Sequence, residues 1–252
     1  MNVSAVAPLA VENVSTSYGK RQILNNISFS LTPGECFGLI GLNGIGKTTL
    51  IRSILALRDA AGSITFFGEL NASAKARRHL VYLPEKFQPS PQLYGWEHLS
   101  IHMDYFGQRV DKGAAREMAK GLDLDPTALD RKVRTYSKGM GQKLGLLGTL
   151  LVTAPLMILD EPMSGLDPRA RVMLKDRLME ARNAGRTIFF SSHILADIEE
   201  ICDRIAILHA GKIIYLGKSA DFVETMKAPS LERAFLAALE AEEKTGGQIF
   251  GA

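Results

Sequence analysis

Nine residues, GLNGIGKTT from Gly41 to Thr49, match the spacing G-x-x-x-x-G-K-[ST]. Glycines at this spacing let backbone N–H groups curl around phosphate oxygens, and the N-terminus of a following helix favours negative charge. On this reading Asn43, Gly44, Ile45, Gly46 and Thr49 form the cradle. Lys47 reaches the β- and γ-phosphates of a nucleotide, and the Thr48 hydroxyl takes a Mg²⁺ ion. The plainer alternative, a glycine turn between strand and helix, does not call for Gly46, Lys47 and Thr48 in that order.

A Mg²⁺ ion beside such a cradle needs a carboxylate at the C-terminal end of a buried parallel strand, where open α/β sheets bind ligands. The run LMILDE supplies one: apolar residues end in Asp160, placed for the metal, and Glu161 follows as the candidate to polarise an attacking water. An Asp-Glu pair can instead cap a helix, but Pro162 and the lack of an immediate apolar helical pattern argue against that. A second anion-binding pattern lies in YSKGMGQKLG from Tyr136, with a hydroxyl, a cation and three glycines at the start of a helical run. Read alone, Ser137 is an N-cap worth about 1 kcal/mol for a helix with Leu144, Leu147 and Leu151 on one face.

The elements that must position these residues are legible in outline. The runs LAVENVS, NNISFSL, ECFGLIG and GSITFFG read as short strands, with one helix, KTTLIRSILAL, between the last two. From Pro84 to Leu151 helical spacing takes over, in WEHLSIHMDYF and GAAREMAKGL. PLMILD and RTIFFSSH then flank a helix near Arg169 to Asn183, a βαβ pattern that implies a parallel sheet. ILHAGKIIYLG predicts a closing hairpin. Leu231, Phe235 and Leu239 mark a terminal helix capped by Ser230, and TGGQIFGA reads as a loose tail. The expected organisation is one domain over 1–252: an α/β core of 1–84 and 152–220, a helical insert of 85–151, and a C-terminal helix and tail of 221–252.

The 252 residues are 46% hydrophobic and 23% charged, as in a globular protein. No apolar run approaches the roughly 18 residues of a membrane span, and the opening MNVSAVAPLAV lacks the charged start of a secretion signal, so a cytoplasmic chain is expected. A formal charge of +3, evenly spread, argues against a nucleic-acid partner. Lys75 to His79 reads as a solvated face, and Cys36 and Cys202 as buried packing. His98 and His102 have metal spacing on a helix but no third ligand candidate nearby.

With both motifs in place, the chain resembles the nucleotide-binding subunit of an ABC (ATP-binding cassette) transporter along nearly its whole length. The resemblance implies a P-loop NTPase fold of the ABC ATPase type, α/β, whose mixed sheet core carries an N-terminal antiparallel β part and an inserted α-helical subdomain. It implies ATP and Mg²⁺ as ligands and ATP hydrolysis coupled to transport. Tyr18 falls where the family stacks an aromatic on adenine, and His193 where it has a switch histidine at the γ-phosphate; a lone His after a strand is otherwise structural. Ser164 to Asp167, SGLD, matches a loop at the subunit interface. Ser137, Gly139 and Met140 match the turn that contacts ATP held by a second copy, so a homodimer around two ATPs is implied. The other implied partner is an integral-membrane permease docking near residues 85–100, where Phe87, Tyr94 and Trp96 offer anchors or else simply pack the insert. The chain would then lie peripherally on the inner face of the cell membrane.

Departures from the family pattern are Lys138 and Met140 in the signature turn, Leu42 and Ile45 in the phosphate loop, and Glu85 where a glutamine is usual. Glu85 is expected to remain a metal-side ligand and the hinge to the insert, and the combination resembles the exporter branch. The competing reading is an ABC ATPase without a transport role, such as an iron–sulfur cluster assembly subunit. A GTPase would need an N-K-x-D motif that the sequence lacks, and a small-molecule kinase would not explain Tyr136 to Gly141 or His193.

Overall fold

The computed structural model describes residues 6–245. Its elements run in the order β1 (Ala10–Tyr18), β2 (Arg21–Ser30), β3 (Cys36–Ile40), α1 (Lys47–Ile54), β4 (Ala61–Phe66), β5 (Glu69–Leu70), α2 (Ala74–Arg77) and β6 (Leu80–Leu83). There follow α3 (Gly95–Tyr105), α4 (Lys112–Lys120), α5 (Lys138–Leu151), β7 (Leu156–Asp160), α6 (Pro168–Asn183) and β8 (Thr187–Ser192). The chain then forms α7 (Leu195–Ile201), β9 (Arg204–His209), β10 (Lys212–Gly217), α8 (Ser219–Thr225) and α9 (Leu231–Thr245). The expected tail lies, beyond Thr245, outside the described residues.

Two sheets result. A four-stranded sheet, ordered β2-β1-β4-β5, is antiparallel throughout. The six-stranded sheet is ordered β10-β9-β3-β8-β7-β6, and every neighbouring pair in it is parallel except β10 with β9. Strands β3, β7 and β8 are buried at every position, as expected where both faces of a parallel sheet are covered. The two sheets meet through rings. Phe29 of β2 stacks on Phe37 of β3 with centroids 5.3 Å apart, and Phe37 on Phe189 of β8 at 5.9 Å. The opposite face of the large sheet packs on the helices, through Leu159 and Phe190 from strands and Leu144, Leu147, Leu174 and Ile198 from helices.

The parallel register brings three strand ends together. Ile40 pairs with Ser192 across β3 and β8, and Asp160 pairs with Ser191 across β7 and β8. The phosphate loop, Glu161 and His193 each follow one of these residues directly.

Strand β6 was not expected from the sequence. It is a four-residue edge strand beside β7, too short for a periodicity. Helices α7 and α8, seven residues each, were likewise not foreseen. Lys75, Arg77 and Arg78 of the KARRH run are exposed, on a short helix capped by the Ser73 side chain. Cys36 and Cys202 are free thiols in contact with each other. Ser230 caps α9 as expected, its hydroxyl accepting from Arg233 N at 3.3 Å.

Candidate active site

The phosphate loop takes its shape from residues that only glycine suits. Gly44 and Gly46 have φ of +78° and +121°, and a side chain at Gly46 would meet Ile23 Cγ2 at 3.3 Å. Helix α1 starts at Lys47 and buries Leu50, Ile51 and Ile54, so its N-terminus is fixed by core packing and points its free N–H groups into the loop. Lys47 is itself buried. Its Nζ donates to Gly41 O at 2.7 Å and lies 3.2 Å from Glu161 Oε1.

Glu161 has a left-handed backbone, φ +50°, a strained conformation for a residue with a side chain. Pro162 disfavours the right-handed helical alternative at the preceding residue. The bond from Glu161 N to Ser191 Oγ, 3.0 Å, holds the backbone there. The carboxylate then sits between two partners, with Oε1 against Lys47 and Oε2 2.8 Å from His193 Nδ1.

Asp160 accepts from Ser191 Oγ at 2.6 Å through Oδ1, while its buried Oδ2 has no hydrogen-bond partner. Burial raises its pKa above the usual carboxylate range, opposed by the Ser191 hydrogen bond and the nearby Thr48 hydroxyl and reinforced by the charges of Glu85 and Glu161. An orphaned, desolvated carboxylate oxygen close to a threonine hydroxyl and two further carboxylates fits a hard divalent cation. Mg²⁺ is usually held by one or two carboxylates together with phosphates and water.

These groups line one cavity of about 480 Å³, walled by Asn43, Gly44, Gly46, Lys47, Thr48, Thr49, Glu85, Glu161 and His193, with Leu42 and Ser164 at its edge. Of the residues singled out in the sequence, Ile45 packs beneath the loop and Asp160 lies behind Thr48. Five others are not in the cavity wall. Tyr18 closes β1, half exposed. Ser137 caps α5, its exposed hydroxyl accepting from Met140 N at 3.2 Å, and Gly139 lies beside Gly165. Asp167 caps α6 through Ala170 N at 3.0 Å, which with Lys143 nearby holds its pKa below the usual range.

Sequence reasoning missed Ser191, the hydroxyl that ties Asp160 to Glu161. A serine pair ending an otherwise apolar buried strand was the available signal, because buried hydroxyls need partners.

The aromatic residues of the 85–100 stretch divide. Phe87 packs inward, where a side chain on Gly145 of α5 would come within 2.6 Å of its ring. Trp96 Nε1 donates to Asp130 Oδ1 at 2.8 Å, and Tyr94 stays partly exposed. A groove of about 320 Å³ between core and helices is walled by other residues, among them Leu55, Leu57, Leu80, Tyr82, Tyr105 and Phe106. His98 and His102 stack 6.3 Å apart, and burial lowers both pKa values, that of His98 to about 4.

The family model described as ABC transporter matches residues 24–164. An uncharacterized ABC transporter ATP-binding protein of Synechocystis sp. is 38% identical over 210 residues, 80% of this chain and 58% of its own length. Nod factor export ATP-binding protein I of Rhizobium etli is 34% identical over 219 residues, 85% of this chain and 69% of that protein. Linearmycin resistance ATP-binding protein LnrL of Bacillus subtilis is 32% identical over 246 residues, 92% of this chain and 79% of its own. The chain thus spans between 58% and 79% of the length of these relatives. A solved structure titled as the ATP binding subunit of an ABC transporter superposes with a TM-score of 0.83 at 31% identity, covering 92% of this chain and 99% of that one. By its fold, its matched family model and these relatives, the chain belongs to the ABC transporter family of ATP-binding proteins.

Proposed function

We propose that the protein is the ATP-hydrolysing motor of a membrane exporter, acting as two copies closed around two ATP molecules. The observation that carries this reading is the single cavity in which Lys47, Thr48, Glu85, Glu161 and His193 meet at the ends of three parallel strands.

In this account the backbone of residues 43–49 and Lys47 hold the triphosphate. Phosphate oxygens are stronger acceptors for Lys47 than the Gly41 carbonyl, and its move to them releases Glu161 Oε1 to take a proton from the attacking water. His193, 2.8 Å from Oε2, orients that carboxylate and reaches toward the γ-phosphate. Thr48, Asp160 and Glu85 would hold Mg²⁺, which when bound neutralises charge developing on the phosphoryl oxygens. Tyr18 takes the adenine. Ser137, Gly139 and Met140 lie outside their own chain's cavity, with the Ser137 hydroxyl exposed, so they serve the nucleotide of the second copy, beside the loop ending in Asp167.

The helical stretch 85–151 carries both Glu85 and the Ser137 turn, and therefore moves with the nucleotide as a unit against the core of 1–84 and 152–220. The apolar groove between the two accepts a cytoplasmic helix of a permease, with Leu57 and Tyr105 as exposed anchors, 64% and 78% accessible. Among the described residues no helix is long and apolar enough to cross a membrane, and attachment to its inner face comes through that partner. The export function in the name of the Rhizobium relative supports the direction of transport.

Glu161→Gln tests this. Loss of the proton acceptor is expected to slow turnover by about 10²–10⁴ and to leave an ATP-bound dimer on size-exclusion chromatography. Rapid turnover without a dimer would refute the mechanism.

A further inference from the structure

Tyr18 does not stand alone at the end of β1. The Arg58 guanidinium carbon lies 3.5 Å from the centroid of its ring, within the range of a cation–π contact. The arginine is anchored at two further points, donating from Nη2 to Ser17 O at 2.6 Å and from Nε to Thr16 Oγ1 at 3.2 Å. The Thr16 hydroxyl in turn donates to Asp59 O at 2.9 Å, the residue next to Arg58. The guanidinium is thus fixed from both sides, by β1 and by the turn that carries it.

Two features decide what the stack leaves free. With the guanidinium over its ring, Tyr18 still keeps half of its surface exposed, room for a second flat partner. Arg58 arrives from beyond the C-terminal end of α1, whose eight residues separate it from the phosphate loop by about 12 Å. The hairpin that carries Tyr18, in contrast, continues into Ile23 and Leu24, which pack against Gly46 of that loop.

We propose that Arg58 is a positioning residue for the nucleobase: it pins Tyr18 from behind, so that the ring's other face is held ready for a purine. A ring fixed beforehand loses less side-chain freedom when the base stacks on it, so the benefit falls on nucleotide affinity and not on the chemical step. The inference rests on the reading of Tyr18 as the base platform.

The test compares ATP with inorganic tripolyphosphate, which has the phosphates and no base, in the full-length wild type and in Arg58→Ala, Arg58→Lys and Tyr18→Ala. Calorimetry gives the affinities and steady-state kinetics the KM and kcat. Arg58→Ala is expected to weaken ATP binding and raise KM by about 3- to 10-fold, with kcat and tripolyphosphate affinity unchanged. Arg58→Lys keeps the charge but loses the two-point anchor, and is expected to fall between. If Tyr18→Ala weakens ATP while Arg58→Ala does not, the positioning role is wrong and the platform reading survives. If neither variant weakens ATP, the platform reading itself fails and takes the proposal with it. Equal weakening of ATP and tripolyphosphate by Arg58→Ala would make Arg58 a general charge or fold contact and overturn the proposal, as would wild-type binding by Arg58→Lys.

Discussion

Ser191→Ala removes one oxygen atom from a fully buried position and should reveal how Asp160 and Glu161 are held. The hydroxyl donates to Asp160 Oδ1 at 2.6 Å and accepts from Glu161 N at 3.0 Å. Its loss leaves a buried carboxylate oxygen and a buried N–H without partners, next to an Asp160 Oδ2 that already has none. A hydrogen bond to a charged group contributes about 1.5–3 kcal/mol and a neutral one about 1, so the variant should lose roughly 3 kcal/mol at neutral pH. In a chain of this size that lowers the melting midpoint by roughly 6–12 °C.

The loss should depend on pH in a defined sense. Burial raises the Asp160 pKa in the folded protein and the Ser191 bond lowers it, so the variant's folded pKa lies higher still. A group raised in the folded state contributes stability at pH below its unfolded value and loses it as pH rises through the folded value. The gap between variant and wild type is therefore widest above the variant's folded pKa and narrows as acid protonates Asp160. Urea unfolding of both proteins from pH 7.5 down toward pH 4.5 measures it. A gap under about 0.5 kcal/mol at pH 7.5, or one that widens in acid, would refute this account of how the two carboxylates are positioned.

Glu85→Ala should raise the Mg²⁺ concentration needed for half-maximal ATPase several-fold, with Glu85→Gln intermediate; wild-type metal dependence in both variants would exclude Glu85 from the metal side. Gly145→Ala on α5 drives a Cβ to within 2.6 Å of Phe87 and should destabilise the fold by about 1 kcal/mol net, overpacking outweighing the gain in helix propensity. Gly141→Ala on the same helix meets only Pro89 at 3.9 Å and should stabilise instead, so denaturant midpoints that move in the same direction for both would contradict the packing argument.

The legible parts of the site were those in which chemistry fixes spacing. A phosphate cradle needs Gly46, Lys47 and Thr48 at consecutive positions, and Asp160 with Glu161 ends a strand apolar enough to be read as buried. Strand pairing could not be read, because register between β7 and β8 depends on contacts about thirty residues apart. Ser191 was therefore invisible as the link between Asp160 and Glu161, although its place in an apolar strand was plain. Arg58 escaped for a related reason: a lone arginine after a helix has no pattern, and only the folded turn carries it onto Tyr18. Phe87 was open between anchor and packing residue, and the notch at Gly145 that receives it belongs to a helix almost sixty residues away.

The central claim is that the chemistry needs two copies, each completing the other's nucleotide site with the turn from Ser137 to Met140. The most direct test is steady-state ATPase per molecule, followed while the purified protein is diluted and its mass is checked by light scattering. The account predicts a rate per molecule that falls toward zero once the protein is monomeric. An undiminished rate from a strict monomer would contradict it.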